Sequence, residues 1–126
     1  MHVFAVSVKL QLKNTGTDTF YYPDIFVTSD IEDLKRYYAR QAIIAIEVMS
    51  PETERTDRWE KFWNYIQIPS LEEYVLVSQD RMEITIFRRA NNWQAELLTL
   101  TDESLRLPSL DFALPLSAVY EGVKLK

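Results

Sequence analysis

Apolar and polar side chains alternate from Val6 through Val8, Leu10 and Leu12 against Ser7, Lys9, Gln11 and Lys13, the two-residue period of a strand with one buried face. The pattern predicts a strand over 3–12, a turn through Lys13-Asn14-Thr15-Gly16-Thr17-Asp18, and a second strand over 20–28 folding back as a hairpin. Pro23 interrupts the second strand; without an N–H it marks an edge, a bulge or the strand's true start. Residues 29–41 are polar and charged and read as a loop with one helical turn. Ala42 to Met49 is the most apolar segment and predicts a central strand. Over 54–67, Trp59, Phe62, Trp63 and Ile66 recur at three and four residues, which predicts a helix with one apolar stripe, ended by Pro69-Ser70. Segments 74–78, 82–89 and 93–100 predict an antiparallel meander, with Asn91-Asn92 supplying a residue that tolerates positive φ. A short strand over 105–107 and a helical turn over 116–121 complete the chain.

One residue breaks the apolar pattern. Glu47 sits inside Ile43-Ile44-Ala45-Ile46-Glu47-Val48-Met49, where a lone carboxylate costs roughly several kcal/mol unless something neutralises it. If the strands around Asp24 and Glu47 pair antiparallel with Ser29 opposite Ala42, then Asp24 faces Glu47. Asp24, Phe26 and Thr28 then share a face with Glu47, Ala45 and Ile43. Like charges so placed need a cation between them. The helix offers one: Glu47 lies about 7 Å below the end of its strand at strand rise. Lys61 lies about 9 Å down the returning helix. Asp57 and Tyr65 fall on the Lys61 side of that helix.

Two carboxylates without histidine or sulfur favour Mg²⁺ or Mn²⁺, ions that polarise phosphoryl oxygens and acidify water. Lys61 could orient the water or stabilise developing negative charge. Phosphodiester hydrolysis fits this set. The same residues also suit a buried ion-pair network without catalysis. Tyr22, Tyr65 and Trp59 read as core or rim packing, and Arg88-Arg89 as a solvated strand end within reach of a nucleic-acid backbone.

Composition narrows the choices. At 126 residues the chain accommodates a single domain, 1–126, and its 47% apolar and 26% charged content is that of an ordinary globular protein. No apolar run approaches the roughly 20 residues of a membrane span, and Met1-His2-Val3-Phe4-Ala5 lacks a signal-peptide pattern, so the expected location is cytoplasmic. Zero cysteines exclude disulfides and thiolate chemistry, and two glycines cannot build a P-loop or a dinucleotide fingerprint. The net charge of −5 argues against non-specific coating of nucleic acid, so any such affinity should depend on the metal.

The segments Tyr21-Tyr22-Pro23-Asp24, Ile46-Glu47-Val48-Met49-Ser50-Pro51-Glu52-Thr53-Glu54-Arg55 and Ile68-Pro69-Ser70-Leu71-Glu72-Glu73-Tyr74-Val75-Leu76-Val77 occur in this order. They are joined by Asp57, Lys61, Tyr65, Gln79-Asp80-Arg81, Leu107-Pro108-Ser109-Leu110 and Leu114-Pro115-Leu116. In these the chain resembles the bacterial restriction endonucleases of the Uma-two type, within the PD-(D/E)XK nuclease superfamily. The resemblance implies an α/β, restriction-endonuclease-like core, a mixed β-sheet flanked by helices, and Mg²⁺-dependent cleavage of DNA. It implies Asp24 and Glu47 as metal ligands with the Val48 carbonyl as a third, and Lys61 in place of the superfamily lysine, whose usual position holds Met49. Asp57 and Tyr65 match further family positions in supporting roles. Relatives usually carry an N-terminal helix and strands before the region equivalent to Val3, so the resemblance implies a domain without them. An edge left without that cover favours a homodimer. A catalytically inactive binding or dimerisation module is the alternative reading, and a toxin-like RNA nuclease would use the same residues.

Overall fold

The computed structural model describes residues 4–6, 10–12, 19–21, 25–28, 41–49 and 58–122. The described strands are β1 (Phe4–Val6), β2 (Leu10–Leu12), β3 (Thr19–Tyr21), β4 (Ile25–Thr28), β5 (Ala42–Met49), β6 (Glu73–Ser78), β7 (Ile84–Arg88), β8 (Ala95–Leu98), β9 (Ser104–Leu107) and β10 (Phe112–Pro115). Two helices accompany them, α1 (Arg58–Tyr65) between β5 and β6, and α2 (Leu116–Val119) after β10. Six strands form one sheet in the order β1-β4-β5-β6-β7-β8. All neighbours are antiparallel except β5 and β6, which run parallel with Glu47 beside Leu76. A parallel pair needs a crossover, and α1 lies on it.

The predicted first hairpin is seen in its described parts, β1 pairing antiparallel with β4 and β2 with β3; residues 7–9, between β1 and β2, lie outside the described residues. The meander is as expected, and Asn92 takes the positive φ of 52° at its second turn. The short strand near Leu105 gains a partner that sequence reading missed, β10, which pairs with β9 antiparallel.

Side chains from the two sheet faces build two cores. On one face Phe26, Ala45, Leu76, Tyr74 and Phe87 pack against Phe62 and Tyr65 of α1. On the other, Val27, Ile44, Val75, Ile84 and Ile86 are covered by Leu105, Leu107, Leu116 and Tyr120 from the β9–β10 hairpin and the α2 segment. β6 is buried on both sides, which explains its nearly uniform apolar sequence. A register shift between Val27 and Thr28 pairs Val27 with Ile44 but Thr28 with Ala42. The extra residue, Ile43, therefore packs with its neighbour Ile44 on the second face. This corrects the expectation that Ile43 shares the face of Ala45 and Glu47, where Ala42 stands instead.

The aromatic stripe of α1 also differs from its reading. Trp59 and Trp63 are both 60% exposed, whereas Phe62 and Tyr65 are buried. The helix turns the Lys61–Phe62–Tyr65 side inward. Arg88 and Arg89 are not a solvated strand end. Arg88 bonds buried Glu73 through Nη1 and Glu96 through Nε, the latter at 3.0 Å. Arg89 donates from Nε to the Leu71 carbonyl at 2.7 Å and from Nη2 to that of Ile68 at 2.8 Å, clamping the exit of α1, and its guanidinium stacks over Trp93 at 5.0 Å. Turns are pinned by carboxylates. Glu103 accepts from the Thr99 and Leu100 amides, which holds its pKa below the usual value. No helix among the described residues is long and apolar enough to cross a membrane.

Candidate active site

Glu47 lies near the end of β5 with only 5% of its surface exposed, on the face covered by α1. Its neighbours in the chain point elsewhere: Ile46 packs in the second core and Val48 is exposed. Three donors reach its carboxylate. Lys61 Nζ approaches Oε1 at 3.4 Å, the Tyr65 hydroxyl donates to Oε1 at 3.3 Å, and the Tyr74 hydroxyl donates to Oε2 at 3.0 Å. The 3.4 Å ion pair is longer than a charge-assisted hydrogen bond of about 2.8 Å. The Lys61 side chain is 29% exposed, against 7% for Glu47, so this lysine connects the buried acid to the surface.

Each donor is placed by a different piece of secondary structure. Lys61 and Tyr65 are one helical turn apart on α1 and so lie on one face. Tyr74 comes from β6, where it pairs with Ala45 in the parallel ladder, so its ring lies over the same face as Glu47. The rings form a run in which Tyr65 and Tyr74 have centroids 4.6 Å apart, Tyr74 and Phe87 6.0 Å, and Phe87 and Phe62 4.6 Å. The levels estimated from strand and helix rise thus do bring Lys61 to Glu47, with Tyr65 beside them. Tyr74 was missed. Its signal was a polar-tipped aromatic in a strand beside a buried acid, readable only once β6 is known to run parallel to β5.

Asp24 and Asp57 lie outside the described residues. The register leading to Asp24 is visible: Ile25 pairs with Ile46, Phe26 with Ala45 and Val27 with Ile44, the alignment deduced from sequence, although the shift at Thr28 departs from it. The Met49 carbonyl accepts from Gln79 beyond β6. Because successive carbonyls in a strand point to opposite sides, that of Val48 is directed away from β6. Among the described residues no group of three or more histidines, cysteines or acids gathers as a metal cluster. The Glu47 carboxylate is a hard oxygen donor of the kind Mg²⁺ or Mn²⁺ takes.

This arrangement has the fold of a nuclease-like α/β protein. It superimposes with a TM-score of 0.75 on the crystal structure of a putative nuclease belonging to DUF820 from Anabaena variabilis, covering 97% of this chain and 70% of that one at 16% identity. The chain belongs to the Uma2 family, described as "Putative restriction endonuclease", whose model matches residues 1–117. An uncharacterized protein of Synechocystis sp. is 31% identical over 118 residues, a match that takes in 92% of this chain and 61% of that protein's length.

Proposed function

We propose that the protein is a Mg²⁺-dependent (or Mn²⁺-dependent) endonuclease that hydrolyses DNA phosphodiester bonds. The observation that carries this reading is the buried Glu47 carboxylate with Lys61 Nζ 3.4 Å away, in a nuclease-like fold. Membership of the restriction endonuclease family supports the reaction class.

In this reading Asp24, Glu47 and the Val48 carbonyl hold the cation. Support for Asp24 comes from the Ile25–Ile46 pairing, one step from a pair between Asp24 and Glu47. The cation would supply Lewis-acid stabilisation of charge on the phosphoryl oxygens. Lys61 orients the attacking water or neutralises charge developing on the phosphorus centre. In this reading Tyr65 of α1 and Asp57 support the lysine and the acid.

The test is plasmid nicking with Mg²⁺ and Mn²⁺. Wild type should cut, and Asp24→Ala, Glu47→Ala and Lys61→Ala should each lose roughly 100-fold or more. Variants that cut as well as wild type would remove the site assignment even if cleavage is real. A parallel arm with single-stranded RNA decides the nucleic acid. One observation favours a second reading, an inactive binding or dimerisation module: the Glu47 side chain is only 7% exposed. That reading predicts no cleavage by wild type and a dimer by light scattering.

A further inference from the structure

We infer that Tyr65 and Tyr74 are positioning residues, fixing the Glu47 carboxylate so that Oε2 keeps an acceptor site for the divalent cation; this rests on the metal-dependent reading above. A carboxylate has about four acceptor sites, two on each oxygen. Among the described residues, Oε1 receives Lys61 and Tyr65 while Oε2 receives only Tyr74. Oε1 is thereby filled and Oε2 retains one site.

Two donors on separate elements are needed for this. The terminal torsion of a glutamate is broad, so a donor on one oxygen alone would leave the carboxylate plane undetermined. A hydroxyl from α1 on one oxygen and another from β6 on the second define it. The hydroxyls are themselves held still, because both tyrosines are fully buried and their rings, 4.6 Å apart, continue into Phe87 and Phe62. Phenols also suit the task chemically. They stabilise a carboxylate without adding positive charge, whereas a second lysine or an arginine would compete with the cation for the same anion. Hydrogen-bond partners of ligating carboxylates typically contribute about 10–100-fold to metal affinity.

The experiment titrates Mn²⁺ calorimetrically into wild type, Tyr65→Phe, Tyr74→Phe and Glu47→Gln, and measures Tm with and without the ion. Each phenylalanine keeps the ring stack and removes one oxygen. The expected result is Mn²⁺ affinity about 10–100-fold weaker in both tyrosine variants, with a smaller rise in Tm on adding Mn²⁺. A purely structural role would lower Tm equally with and without the ion, leaving that rise unchanged. If both variants bind Mn²⁺ as wild type does while Glu47→Gln loses it, the inference is overturned and the nuclease reading stands. If wild type binds no Mn²⁺, the metal-dependent reading falls and takes this inference with it. Should Tyr74→Phe fail to fold, Tyr65→Phe decides the matter.

Discussion

Glu47 shows what a single charge demands of its surroundings. Burying it costs roughly several kcal/mol, and the structure answers with one cation and two hydroxyls. That demand made the residue legible in the sequence, because a lone acid in an apolar run has to be explained. Tyr120 poses the same kind of problem at the opposite face. Its hydroxyl lies 2.8 Å from the Ser78 carbonyl and 3.0 Å from that of Glu83, to which it donates, and it accepts from the Glu83 amide at 3.3 Å. One phenol thus closes the β6–β7 turn. Tyr120→Phe should cost about 1–3 kcal/mol in urea unfolding, since the two carbonyls lose their donor. Burial, the first cause, raises the Tyr120 pKa above 10.0. A raised pKa means the folded state holds the proton more tightly, so the contribution is fully present below pH 10.0 and disappears as pH climbs through the folded value. The variant should therefore show a shallower loss of stability above pH 10.0 than wild type.

Elements were easier to find in the sequence than the faces they present. Period and turn residues located β4 to β8 and α1, but Trp59 and Trp63 were assigned to the buried side of α1 and lie outside. Spacings of three and four run through Trp59, Phe62, Trp63 and Ile66 and also through Phe62 and Tyr65, so they fit two different helix faces. The face that turns inward carries Lys61 and Tyr65, whose polar tips meet Glu47, so the acid on β5 helps set the rotation of α1. Arg88 departs from its reading for a related reason: its partners sit on the flanking strands β6 and β8, and only the exact register puts Glu73 and Glu96 beside it. With Ser109, whose hydroxyl donates to Glu73 at 2.8 Å, this network joins three strands to the turn after β9. Arg88→Ala should destabilise by roughly 3–5 kcal/mol because it strands Glu73, only 3% exposed, without its cation. Arg81→Ala removes an exposed pair with Asp80 and Glu83 and should cost under about 1 kcal/mol. Thermal unfolding of the two variants side by side checks the contrast.

For the whole chain, the net charge of −5 bears on how DNA would be held under the proposed function. A surface with more acids than bases gains little from counterion release, so binding should rely on the cation between protein and phosphate. Gel-shift affinity measured with Ca²⁺ in place of Mg²⁺ should fall at least roughly tenfold on adding EDTA and vary weakly with salt. Affinity unchanged by EDTA would place binding elsewhere on the surface.

Glu47, Lys61, Tyr65 and Tyr74 all ride on β5, α1 and β6, a single strand–helix–strand passage of the chain. Every residue of the proposed pocket except Asp24 therefore falls within one contiguous segment, assembled by the shortest route the backbone offers. Changes confined to the margins of the sheet would leave these four side chains together, because β5 and β6 are interior strands. What such changes could take from the proposed pocket is Asp24, the residue before β4, leaving the acid, the lysine and their tyrosines assembled without a second carboxylate.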